Sequence, residues 1–155
     1  GVYNDIHPTV DGTNYDVIVV GTDGKQCVIR HVAHGQLTID VSSACSALNA
    51  VWGVPGGPHF AVGDDGVILR AAKLGKSHEW KPMSSGTKAD LRGVWGTGAT
   101  RVFAVGDKGT VLYHDGSSWR RYKNVTDKNL YDVYGNDSTS IYAVGDGQTI
   151  LKYSP

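Results

Sequence analysis

The chain is 155 residues long, enough for one domain with a sizeable core, and its fifteen basic and fifteen acidic residues cancel to a formal net charge of zero. That balance supplies no broad positive field, so nucleic acid and acidic membrane surfaces are disfavoured as partners. No run of eighteen apolar residues occurs and the opening GVYNDIHPTVDG has no basic segment followed by an apolar one, so neither a membrane-spanning helix nor a signal peptide is expected within these residues.

Glycine occurs 21 times and Asp fourteen times against a single glutamate, Glu79, a usage that suits turns and strands and starves helices. In chain order the segments fall into four copies of one unit. Copy one opens with GVYND at Gly1, read as a truncated inner strand that places Tyr3 at the aromatic position. It continues through a long first loop, NDIHPTVDGTN, into VIVVGTDG at Val17–Gly24. Copy two holds LNAVWG (Leu48–Gly53), FAVGD (Phe60–Asp64) and a long third loop, AAKLGKS. Copy three is the most regular: LRGVWG, RVFAVG, TVLYH and SWRRYK are divided by TGAT, DKG and DGS, each of them turn chemistry. Its second strand is apolar on consecutive positions, Val102 to Val105, so both of its faces are expected to be buried. Copy four has LYDVYG and YAVGD, then stops after a third strand, TILKYS.

Trp52, Trp95 and Tyr134 precede Gly63, Gly106 and Gly145 by eleven positions each, and the copies recur after 43 and then 39 residues. A period near 40 with four short strands per unit is the signature of a β-propeller blade. The expectation is an all-β propeller of about four blades, at about 1–47, 48–90, 91–129 and 130–155, with fifteen strands and no outer strand in the last blade. An edge without its neighbour invites pairing. Either the fourth blade tolerates three strands, or another chain supplies the missing one, or these residues are a portion of a longer propeller.

The pattern L-x-x-V-[WY]-G, then [FY]-A-V-G-D-x-G-T-[VI]-L, then D-G-x-x-W resembles the repeats of bacterial secreted and surface β-propeller proteins. It is more distantly similar to the Asp-box repeats of sialidase-like propellers and to the photosystem II assembly-factor propeller. The resemblance implies the fold; propellers of this kind host adhesins, lectins, enzymes and assembly scaffolds. YHDGSSW at Tyr113–Trp119 lacks the spacer that an Asp-box has between its Asp and Gly, here Asp115 and Gly116, so it carries no sialidase inference.

Two repeated positions are candidate binding residues. The inner-strand aromatics Trp52, Trp95 and Tyr134, with Tyr3 set beside them, could stack on a sugar or another flat ligand, or pack between blades. Asp64, Asp107 and Asp146 follow the AVG glycines in turns; they could bind hydroxyls or a cation, or accept their own backbone N–H groups in Asx turns. Among six histidines only His31 and His34 are close, and three apart on a strand they face opposite sides, so no metal site is expected. Cys27 and Cys45 are candidates for a disulfide pinning the outer part of blade one, consistent with an oxidising compartment. Sequons at Asn124 and Asn136 would matter only in a eukaryotic secretory route.

No nucleophile elbow, phosphate loop or paired C-x-x-C occurs, and Glu79 lies in a peripheral segment, so a glycosidase-like enzyme is the least supported reading. The reading is a non-catalytic binding or assembly module, extracellular or on a cell surface and without cofactor. It engages another protein chain, or itself, through the unfinished fourth blade. A carbohydrate-binding lectin is the alternative.

Overall fold

Turn chemistry divides the chain into short antiparallel strands, and the computed structural model describes residues 1–11, 14–33, 36–42, 45, 47–73, 80–123 and 125–154. Among these residues there are fifteen strands and no α-helix. The first sheet is the meander β1 (Val2–Asp11), β2 (Asn14–Thr22), β3 (Cys27–Ala33) and β4 (Gln36–Ser42). The second is β5 (Leu48–Gly53), β6 (His59–Gly63), β7 (Ile68–Ala71) and β8 (Lys81–Met83). The third is β9 (Leu91–Gly98), β10 (Arg101–Gly106), β11 (Thr110–His114) and β12 (Trp119–Arg121). The fourth has three strands, β13 (Leu130–Gly135), β14 (Ile141–Gly145) and β15 (Thr149–Lys152).

The sheets stack face to face in chain order. Ile18, Val20 and Ile29 of the first meet Leu48, Val51, Ala61 and Leu69 of the second. Phe60, Val62 and Ile68 of the second meet Val94, Val102, Ala104 and Leu112 of the third. Phe103 and Val105 of the third meet Val133, Ile141 and Ala143 of the fourth. An inner blade therefore spends one face on its predecessor and the other on its successor. This is why β6 is buried at every position and β10 at every position after Arg101. The result is a four-bladed arc of a β-propeller. Among the described residues no further sheet covers its first and last faces: Ile6, Val10, Tyr15, Leu37 and Ile39 are exposed on the first sheet, and Tyr134, Tyr142, Val144 and Ile150 on the last.

The AVG glycines are required by close backbone approach. A Cβ on Gly63, Gly106 or Gly145 would collide with the carbonyl oxygen of Ala47, Asp90 or Asn129, where the chain enters the inner strand beside it. The inner strand bulges at that point, between Leu48 and Ala50, between Leu91 and Gly93 and between Leu130 and Asp132.

Blade one departs from the sequence expectation in two ways. NDIHPTVDGTN is not a loop: all but Gly12 and Thr13, which lie outside the described residues, belong to the long hairpin β1–β2, paired as far as Asp11 and Asn14. The inner strand also starts later in the chain than GVYND suggests. Its bulge lies between Tyr3 and Asp5, so Tyr3, opposite Gly21, holds the place that Leu48 holds opposite Gly63.

Candidate binding surface

The aromatic position is set by register. Trp52 pairs with Phe60, Trp95 with Phe103 and Tyr134 with Tyr142; in blade one the partner of the corresponding residue, Ile18, is His7. The aromatic set is thus His7, Trp52, Trp95 and Tyr134, and Tyr3 instead lies under the Arg30 guanidinium, 5.0 Å from its ring centroid. Sequence reasoning missed His7 because Pro8 replaces the glycine that marks the position elsewhere.

Each tryptophan leans forward onto the VWG or VYG glycine of the next blade. A Cβ on Gly96 would lie 2.9 Å from Trp52 Cη2, and one on Gly135 would lie 2.9 Å from Trp95 Cη2. The glycine is a notch for the preceding indole. Trp52 and Trp95 are accordingly half-buried between blades, whereas Tyr134, which no sheet of the described residues covers, is 66% exposed.

The carboxylates after AVG do not cap their own turns. Asp64 Oδ1 accepts from Asn49 Nδ2 at 2.9 Å, Asp107 Oδ2 from Arg92 Nη2 at 2.8 Å, and Asp146 Oδ1 from the Tyr131 hydroxyl at 2.6 Å. The donor in every case is the bulge residue fifteen positions earlier, whose side chain the bulge re-aims toward the turn. The hydrogen bond and charge of Arg92 hold the Asp107 carboxyl below the usual range, and Asp107 raises Arg92 in turn. Asx turns do occur elsewhere. Asp23, Asp115 and Asp137 each accept two backbone N–H groups, and those bonds push all three carboxyls down. Asn4 and Asn49 also bridge blades, donating to the Leu48 and Leu91 carbonyls, each at a distance of 2.8 or 2.9 Å.

The remaining predicted positions are spread out. Cys27 and Cys45 form a disulfide, with Cα atoms 5.4 Å apart. His31 is buried 3.5 Å from Asp16; His34, His78, Glu79, Asn124 and most of AAKLGKS lie outside the described residues. No three His, Cys, Asp or Glu side chains gather as a metal site among the described residues. His59 was not singled out from sequence. Its ring covers Gly53, its Nδ1 lies 3.0 Å from the Gly57 carbonyl, and burial lowers its pKa from 6.5 to about 4.

The surface that stands out is the fourth blade. The face carrying Tyr134, Tyr142, Val144 and Ile150 repeats the face that carries Trp95, Phe103, Val105 and Val111 in blade three, where blade four covers it. The outer edge of β15 pairs with no strand among the described residues. Beside that edge, between blades three and four, lies a largely apolar cavity of about 380 Å³ lined by residues that include Phe103, Val111, Tyr122, Leu151 and Tyr153. Rings on a face, an open strand edge and an apolar cleft can hold a protein segment.

No protein-family model matches the sequence, and no curated protein matches it. Among solved structures the chain is similar to YCF48 from Cyanidioschyzon merolae, with a TM-score of 0.76 and 18% identity over the whole chain. That likeness shows the propeller fold. The chain spans about half of that protein's length, 51%.

Proposed function

We propose that the chain is a non-catalytic binding or assembly module that engages another protein chain through its fourth blade. The observation that carries this is the uncovered face of Tyr134, Tyr142, Val144 and Ile150, whose counterparts in blades two and three are covered by the next sheet. A face with that pattern of large apolar residues favours burial against a partner. A second copy is the simplest partner to test. In sedimentation at rising concentration the chain should associate reversibly, and the double variant Tyr142→Lys, Ile150→Lys should keep its fold and lose the association. Equal self-association and equal cross-linking to proteins of its natural medium in both forms would overturn the proposal.

An extracellular or cell-surface location fits the Cys27–Cys45 disulfide, which persists in oxidising compartments, and it fits the resemblance to bacterial secreted propellers. A glycan-binding version rests on Tyr134, the exposed member of the aromatic set, with Asp146 already engaged by Tyr131. Loss of glycan-array binding in Tyr134→Ala would support it.

A further inference from the structure

The cavity beside β15 is the core of the preceding blade interface with one side chain missing. Between blades two and three, Trp119 of the outer strand β12 reaches back into the core, 5.8 Å from the Phe60 ring centroid and 5.0 Å from that of His114. Trp80, just ahead of β8, packs in the same way into the core between blades one and two. Among the described residues no strand lies outside β15, yet the receiving pair is already in place. Phe60 and His114 lie 5.1 Å apart at 60°; their counterparts Phe103 and Tyr153 lie 5.0 Å apart at 61°. The rest of the lining corresponds too: Val111, Tyr122 and Leu151 stand where Ile68, Met83 and Leu112 close round Trp119.

We infer that this cleft and the β15 edge together form a receptor for an extended protein segment that carries a tryptophan. The segment pairs antiparallel with β15 and places its indole between Phe103 and Tyr153. The inference rests on the protein-binding reading above and names the partner's chemistry. Register follows from blade three, where Trp119 is opposite His114, Arg120 opposite Tyr113 and Arg121 opposite Leu112. The incoming tryptophan is then opposite Tyr153 and its next residue opposite Lys152, which stands where blade three has Tyr113. A cation directly across from Lys152 is disfavoured and a carboxylate favoured, so the fitting segment reads Trp followed by Asp or Glu.

The test is to titrate the isotope-labelled chain with a synthetic peptide copying residues 115–123 with Arg120→Glu, following amide shifts along β15 and ring protons of Phe103 and Tyr153. Saturable shifts confined to β15 and the cleft are expected. The same peptide with Trp119→Ala should bind at least tenfold more weakly, and the peptide that keeps Arg120 a few-fold more weakly. Lys152→Glu in the chain should reverse the charge preference. Three results would overturn the inference: shifts that ignore the tryptophan, no saturable shifts, or β15 shifts that appear on concentrating the chain without peptide, which would assign the edge to a second copy. A Tyr134→Lys variant, changed on the same exposed face but on β13 and away from β15 and Lys152, should bind the peptide normally and weaken face-mediated association, so failure of either is separately visible.

Discussion

The interface between blades two and three and that between blades three and four use the same positions, but one is filled by Trp119 and the other encloses a cavity. On the far side of the fourth blade the comparison goes one step further: the same positions meet no sheet among the described residues. The series Phe60, Phe103, Tyr142 passes from 0% through 3% to 41% exposed at one place in the repeat. A repeated residue therefore has no fixed environment in an arc. Its neighbour on the next blade decides whether it is core, partly supported or surface.

The comparison can be broken most sharply at that series. Phe60→Ala should lower unfolding free energy by about 4 kcal/mol, the usual cost of emptying a buried aromatic site, while Tyr142→Ala should cost no more than about 1 kcal/mol. Urea titration of both variants would decide it, and equal losses would mean that the fourth face is covered in solution. Trp119→Ala should cost about 3 kcal/mol and convert the solid interface into a copy of the hollow one. Added indole should recover part of that loss by entering the vacated site, as thermal unfolding with and without indole would show.

The first interface carries the histidine that burial shifts to about 4, while burial also lowers His114 in the second. Because burial holds the His59 pKa at about 4 rather than 6.5, the unfolded chain takes up the proton before the folded one does. Its contribution is intact above neutrality and is lost as pH falls from about 6.5 toward 4, up to ~3 kcal/mol in all. His59→Leu should flatten stability in that window while leaving the acid limb from Asp23, Asp115 and Asp137 in place below it. The smallest effect expected is at the inner rim. Arg92 and Asp107 are partly exposed, so Asp107→Asn should cost under about 1 kcal/mol, and a denaturation midpoint that hardly responds to salt would agree.

The blade count and the strand count were legible because every copy carries the same punctuation: Gly-containing turns between runs of β-branched and aromatic residues. The register of blade one was not. GVYND imitates the tail of L-x-x-V-Y-G, but the paired strands run longer there, and the residue aligned with Trp52 is His7, fourteen positions before Gly21 rather than eleven. The carboxylate partners were half legible. The fifteen-residue offset from Asn49, Arg92 and Tyr131 to Asp64, Asp107 and Asp146 is constant, but the donors share no residue type, and only the bulge explains why such different side chains reach the same place. The three-stranded fourth blade was legible, but that Trp80 and Trp119 of the other blades turn inward into the interfaces was not, and with it the cavity beside β15.

One replacement gives the arc a direction. Pro8 pairs with Val17 as Gly53 pairs with His59, so it occupies the notch position on the first blade's outward face. An indole or phenol arriving there, as Trp52 arrives at Gly96, would meet a Cβ and a pyrrolidine ring where the inner blades offer bare backbone. On this face blade one is thus shaped unlike blades three and four, and a ring that fits against Gly96 or Gly135 does not fit against Pro8.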